Sequence, residues 1–154
     1  MTGSRFHGIQ LAGQIDSNDS SSTAREHVPI ALEFEEPSTF TVYATGKVTY
    51  DECEALLDEL QHHPRLCCGV QVYVDGRDVE STPSTSELRA IARDLQPLVE
   101  RGIGPIAFVT DKTFIYGVAR MFSAFAEAMG ATVHAFRSEE EAHHWLTEHV
   151  KPAA

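Results

Sequence analysis

The chain has 154 residues, and its 12 Lys+Arg against 23 Asp+Glu give a formal charge of -11. That length suits a single domain, and a field of that sign repels phosphate backbones, so nucleic acid is not an expected partner. No run approaches the ~18 apolar residues of a membrane span. Cys53, Cys67 and Cys68 have neither C-x-x-C metal spacing nor the spread, even count of a secreted disulfide framework. With no charged-then-apolar leader at the amino terminus, a reduced, cytoplasmic chain is expected, with Cys67 and Cys68 partly buried.

Residues 1–27 read as a flexible tail, because the run Asp16 to Thr23 is too polar to repay the entropy of ordering. Phe6, Ile9 and Leu11 are its apolar exception, able to dock on the domain or on a neighbour. Residues 28–150 form the domain. Ile30, Leu32 and Phe34 alternate with Ala31, Glu33 and Glu35, and after a turn at Pro37-Ser38 a second period-two run carries Phe40, Val42 and Ala44. The two runs predict an antiparallel hairpin. Thr49 with Glu52 forms a capping box for a helix that buries Cys53, Leu56, Leu57 and Leu60 and stops at Pro64. His62 and His63 fall in its last turn, where the dipole suits a partly protonated imidazole.

Val70, Val72 and Val74 predict a third strand ending at Asp75, followed by a polar loop. Ser84 with Glu87 caps a second helix whose buried stripe runs through Leu88, Ile91, Ala92, Leu95, Leu98 and Val99, with a kink at Pro97. Ile106 to Thr110 reads as a strand buried on both faces. From Lys112 to Met129, the residues Phe114, Val118, Met121, Phe122, Phe125 and Met129 mark one helical face, expected to lie on the sheet. Gly130 ends that helix. Ala131 to Phe136 makes a last strand, and Ser138 with Glu141 opens a last helix carrying Ala142, Trp145 and Leu146. The order ββαβαβαβα predicts an α/β fold: a single mixed sheet of about five strands, the hairpin first and parallel strands after it, with about four helices.

Tyr116-Gly117-Val118-Ala119-Arg120-Met121-Phe122, then Phe125, Val133, Phe136, Glu140-Glu141-Ala142 and Trp145-Leu146, resemble the closing half of the SpoIIAA-like family, also called STAS/SEC14-like domains. Thr45-Gly46-Lys47-Val48-Thr49 and Val74-Asp75 resemble its opening half. The likeness covers roughly residues 29–147 and rests on a diffuse pattern, with no catalytic signature. It implies a small sheet with helices packed on it, in a bacterial cytoplasmic protein with a regulatory or ligand-binding role. Anti-sigma-factor antagonists of the wider STAS group carry an Asp-Ser pair at the start of the helix after the third strand, and that serine is phosphorylated. The resemblance maps that serine to Ser84. Pro83 stands where the aspartate would be, which puts kinase recognition in doubt.

Ligands of open parallel sheets sit beyond the carboxyl ends of the strands. Those ends carry Asp75, Arg77 and Asp78 after the third strand and Asp111 and Lys112 after the fourth, a set able to hold a small polar ligand. As charged loop residues they are equally ordinary, and Asp111 is a good N-cap. His143, His144 and His149 lack the His-Glu-x-x-His spacing of a metal site, and consecutive histidines on a helix diverge by about 100°; solvated pairs with Glu139 and Glu140 explain them better. No Gly-x-Ser-x-Gly elbow, Walker loop or dinucleotide fingerprint occurs.

A non-catalytic module without a cofactor is therefore expected. Tyr116, Arg120 and Ser123 should face away from the sheet, while Ile115, Ala119 and Ala126 widen the apolar stripe, so this flank should meet a second subunit, as in a homodimer, or an apolar ligand. A same-chain helix or the tail is the alternative cover. The rival function is a carrier of a small apolar or lipid-like molecule in a pocket lined by Phe114, Met121, Phe122 and Phe125.

Overall fold

The computed structural model describes residues 29–149; the tail expected over residues 1–27, with Phe6, Ile9 and Leu11, lies outside them. Strands β1 (Ile30–Glu35), β2 (Thr39–Lys47), β3 (Gln71–Ser81), β4 (Ile106–Val109) and β5 (Val133–Phe136) form one sheet in the order β1-β2-β3-β4-β5. β1 and β2 are antiparallel, with Leu32 opposite Val42 and Phe34 opposite Phe40. The other pairs are parallel. The helices are α1 (Tyr50–Gln61), α2 (Thr85–Arg93), the short α3 (Gln96–Glu100), α4 (Thr113–Ala128) and α5 (Glu139–Glu148). This is the mixed α/β sheet that the residue pattern predicts.

Strand order equals chain order, so every crossover steps in the same direction. Right-handed crossovers stepping one way put all their helices on one face. The packing agrees: Val72, Ile106 and Val133 join Leu60, Leu95 and Leu98 in one core, whereas Tyr73, Ala107 and Val109, an odd number of residues on along their strands, pack with Ala142 and Leu146 of α5. α5 alone lies on the outward face, against β4 and β5.

The loops entering β3 and β4 are pinned together: the Gly69 N–H donates to the Gly102 carbonyl at 2.7 Å and the Gly104 N–H to the Val70 carbonyl at 2.6 Å. Gly102 has φ +92, a conformation that favours glycine, and a Cβ on Gly104 would stand 2.8 Å from the Gly69 carbonyl oxygen.

The structure corrects several expectations. β3 does not end at Asp75 but runs to Ser81, because β2 continues to Lys47 and offers it a partner across two register shifts; Val79, 2% exposed, is the core residue gained. The kinked helix is two helices, and Pro97 sits in the first turn of α3, where its missing N–H is harmless. Cys67 and Cys68 are exposed, while Cys53 is mostly buried; burial pushes the Cys53 thiol up to about 12, so it is not a nucleophile near neutral pH.

The largest correction concerns α4. The face on the sheet is Ile115, Ala119 and Ala126, the last fully buried, together with Phe122. Phe114 is 70% exposed, and Val118, Met121, Phe125 and Met129 are half-buried. The apolar arc is wider than one contact face, and small residues at Ala119 and Ala126 let the helix approach the strands closely, which turns the bulky residues to the flank.

His63 is likewise not a charged helix terminus. It is buried, with its ring edge-on to Phe40 at 4.8 Å, and its Nδ1 accepts the Arg65 N–H at 3.0 Å. That bond requires Nδ1 to be unprotonated. Burial first, then the Arg65 charge, lower its pKa. The folded state therefore binds this proton less readily than the unfolded chain, and the stability His63 contributes, complete above its unfolded pKa of about 6.5, is lost as pH falls through the lower folded value. Urea denaturation at pH 7.5 and 5.5 should show the wild type weaker at the lower pH, with the difference reduced in His63→Phe; an undiminished difference would assign the effect elsewhere.

Candidate functional site

Three features near the carboxyl ends of the parallel strands carry most of the chemistry on this surface. The first is the start of α2. Ser84 is exposed, its Oγ accepts the Glu87 N–H at 3.2 Å, and its own N–H donates to Glu87 Oε1 at 2.9 Å. This reciprocal capping box holds a hydroxyl at a helix N-terminus, where free N–H groups favour an anion. A phosphate there would also meet the Glu87 carboxylate and have to displace it. Pro83 is buried beneath, so the loop is anchored from below.

The second feature is the charged group in the middle of β3, level with the end of β4. Arg77 forks onto Asp75, with Nε to Oδ1 at 3.0 Å and Nη2 to Oδ2 at 2.8 Å, and its Nη1 reaches Glu139 on α5 at 3.1 Å. The hydrogen bonds from Arg77 hold the Asp75 carboxyl below its usual range against the opposing cost of burial. Asp111 and Lys112 do not join this pair. Lys112 Nζ donates to the Val79 carbonyl at 2.9 Å, and the Asp111 carbonyl accepts from Arg137 at 3.1 Å. Asp111 is not the N-cap either: Lys112 holds that position without a side-chain cap. Of the residues expected at one ligand site, these four thus divide their hydrogen bonds between separate partners.

The third feature is the flank of α4. Tyr116 lies beneath Arg137 at 5.1 Å and Arg120 at 6.0 Å from its ring centre, while Ser123 Oγ donates to the Ala119 carbonyl at 2.9 Å. On the opposite flank Phe114, Val118, Met121 and Phe125 form the apolar stripe, and Arg89 of α2 covers the Phe125 ring at 4.3 Å.

Between the sheet and α1, α2 and α4 lies an apolar cavity of about 180 Å³. Leu57, Pro83, Leu88, Ala119 and Phe122 help line it. Of the four side chains expected around a pocket, only Phe122 reaches it; Phe114, Met121 and Phe125 lie outside. Pattern reading missed the cavity because a packing void leaves no trace in periodicity.

The last-helix histidines hold separate partners. His143 stacks on Tyr73 with ring centres 4.4 Å apart and stands 3.9 Å from Glu139, His144 pairs with Glu148 at 3.0 Å, and His149 Nδ1 faces the Trp145 carbonyl at 2.9 Å. His144 therefore uses Glu148, not Glu140. Among the described residues no group of three or more His, Cys, Asp or Glu side chains is placed to hold a metal ion, and no helix is long and apolar enough to cross a membrane.

The SpoIIAA-like family profile matches residues 39–147. Similar solved structures include the following two. One is an uncharacterised protein of the DUF3478 family with a SpoIIAA-like fold from Shewanella loihica PV-4, at a TM-score of 0.51 and 16% identity over 76% of this chain and 91% of that one; at that identity the likeness concerns the fold. The other is the Bacillus cell fate determinant SpoIIAA in its phosphorylated form, at a TM-score of 0.45 and 12% identity over 76% of this chain and 98% of that one. No curated protein matches the chain. The profile runs from β2 to within the last helix and takes in the Ser84 loop, the Asp75–Arg77 pair and the whole of α4, and on that match this chain belongs to the SpoIIAA-like family.

Proposed function

We propose that this chain is a non-catalytic regulatory module that acts by binding protein, using the Ser84 loop and the flank of α4, and that it pairs with a second copy of itself in a bacterial cytoplasm. The observation that carries this reading is Phe114, 70% exposed at the head of an apolar stripe. A large aromatic left in water beside Val118, Met121 and Phe125 marks an interaction surface more often than an ornament of a monomer. Tyr116, Arg120 and Ser123 lie on the other flank of α4 and offer it a polar edge. The helix that Ser84 caps packs against α4, with its Arg89 over the Phe125 ring.

Static light scattering should find a dimer at micromolar concentration, and Phe114→Asp should shift it to monomer without loss of the fold. A wild type that stays monomeric at every concentration tested would contradict the pairing.

For Ser84 the family resemblance suggests phosphorylation, and the capping geometry separates that role from a purely structural one. Ser84→Ala removes the cap and should cost about 1 kcal/mol, whereas Ser84→Asp keeps an acceptor and should change stability by less. If the serine is a switch, a partner captured from the source cell by the wild type is kept by Ser84→Ala and lost by Ser84→Asp. Identical capture by all three proteins would leave Ser84 a cap alone.

The cavity favours a second reading, a binding site for a small apolar or lipid-like molecule. Dry apolar cavities of roughly 150 Å³ bind benzene-sized ligands, and this one, of about 180 Å³, is lined almost wholly by apolar side chains. On this reading native mass spectrometry finds a co-purified apolar molecule, and Ala119→Leu both expels it and stabilises the empty protein by about 1 kcal/mol. A bare wild-type mass, with no stabilisation by Ala119→Leu, would reject it.

A further inference from the structure

Because all the crossover helices lie on one side of the sheet, the outward face has only α5, and α5 packs on β4 and β5. The outward side of β1 and β2 carries no helix among the described residues. Tyr43 is its centre. It is 39% exposed, opposite Ala31 on β1 and beside Asp75 on β3, so the small side chain on one side leaves its ring open to a visitor.

The charge around it is mostly negative. Partial burial first, then the carboxylates of Glu33, Glu35, Asp75 and Glu139, oppose ionisation of the Tyr43 phenol. Arg77 is the cation within this group, and it is already bound by Asp75 and Glu139. Lys47 stands at the far end of β2, past the two register shifts. A solvated polar face explains scattered acids, but it does not explain Tyr73. That side chain is 5% exposed, its hydroxyl has no hydrogen-bond partner, and its ring is held by the stacked His143. The charged groups acting on it are again Glu139 and Asp75, with Arg77 between them as the opposing cation. A buried phenol without a partner is unusual in a native protein, and here it points to a group supplied from outside.

We propose that the outward face of β1 to β3 docks a Lys/Arg-rich, extended segment of a protein partner. Carboxylates beside an open aromatic ring suit a guanidinium or ammonium group, which gains from both. The spacing favours a polypeptide over a free amine. Glu35 lies level with Thr39 and Asp75 level with Tyr43, about 13 Å apart along the strands at roughly 3.3 Å per residue, with neighbouring strands about 4.8 Å apart. One small cation cannot reach across that area, whereas basic residues at alternate positions of an extended segment repeat about every 7 Å. The chain's charge of -11 would draw such a segment in from a distance. This surface is distinct from the flank of α4, and the proposal stands or falls independently of the one made there.

The test uses the full-length protein and a ten-residue peptide alternating Arg and Thr, with its Glu/Thr counterpart and spermine as controls, followed by fluorescence anisotropy at two salt concentrations. The basic peptide should bind more weakly at the higher salt, and both the Glu33→Gln/Glu35→Gln pair and Tyr43→Ala should weaken it by about tenfold. Tyr73→Phe should weaken it by a smaller factor without lowering the melting temperature. An equal loss from Asp51→Asn/Asp58→Asn, two exposed acids on α1 on the other side of the sheet, would reduce the effect to diffuse charge and overturn the proposal. So would spermine binding as tightly as the peptide, or no binding of the basic peptide at all.

Discussion

The handedness of the crossovers governs this molecule. Each connection after the hairpin steps the same way across the sheet, so three successive crossovers must deliver their helices to one face. That single constraint gives a thick apolar layer on one side, where Leu98 and Ala126 are almost completely enclosed, and a thin one on the other, where α5 covers only the last strands. A sheet wound in both directions from its middle would have covered both faces and left neither the bare hairpin nor an outlying flank on α4.

Within the thick layer, the size of side chains settles how the helices sit. Ala119 and Ala126 bring α4 close to the strands, and the larger residues of the same helix take the sides. Phe122 remains under the helix and Phe114 does not. The helices leave the cavity between them and the sheet, bounded by Pro83 on the loop that carries Ser84. A change in what fills that space thus has a direct packing route to an exposed hydroxyl at a helix N-terminus. The same route connects it to Val118 and so to the stripe beside Phe114.

Much of this architecture was legible in the residues. The alternation of Ile30, Leu32 and Phe34 with Glu33 and Glu35 specified a strand with one wet face, and Thr49 with Glu52 and Ser84 with Glu87 marked two helix starts by capping boxes that form as expected. The rest was hidden for physical reasons. The face that α4 presents to the sheet depended on how closely alanines allow approach, and a helix apolar on more than half its circumference does not announce that choice. His63 reads locally as a helix terminus, but Phe34 and Phe40, far off in sequence, decide its burial. The surroundings of Tyr43 and Tyr73 required cross-strand register, since Asp75 and Glu139 reach them only through tertiary contact. Asp75 and Arg77 were readable as a charged pair of residues, but not as partners that satisfy each other.

The central claim is that one layer of helices covers one face, with α4 turned so that Ala119 and Ala126 meet the sheet and Phe114 is left exposed. Hydroxyl-radical footprinting of dilute full-length protein, read by mass spectrometry residue by residue, tests it most directly. The account predicts fast modification of Phe114 and Tyr43, with Phe40 and Tyr73 protected. Protection of Phe114 equal to that of Phe40, under conditions where the protein is monomeric, would contradict it.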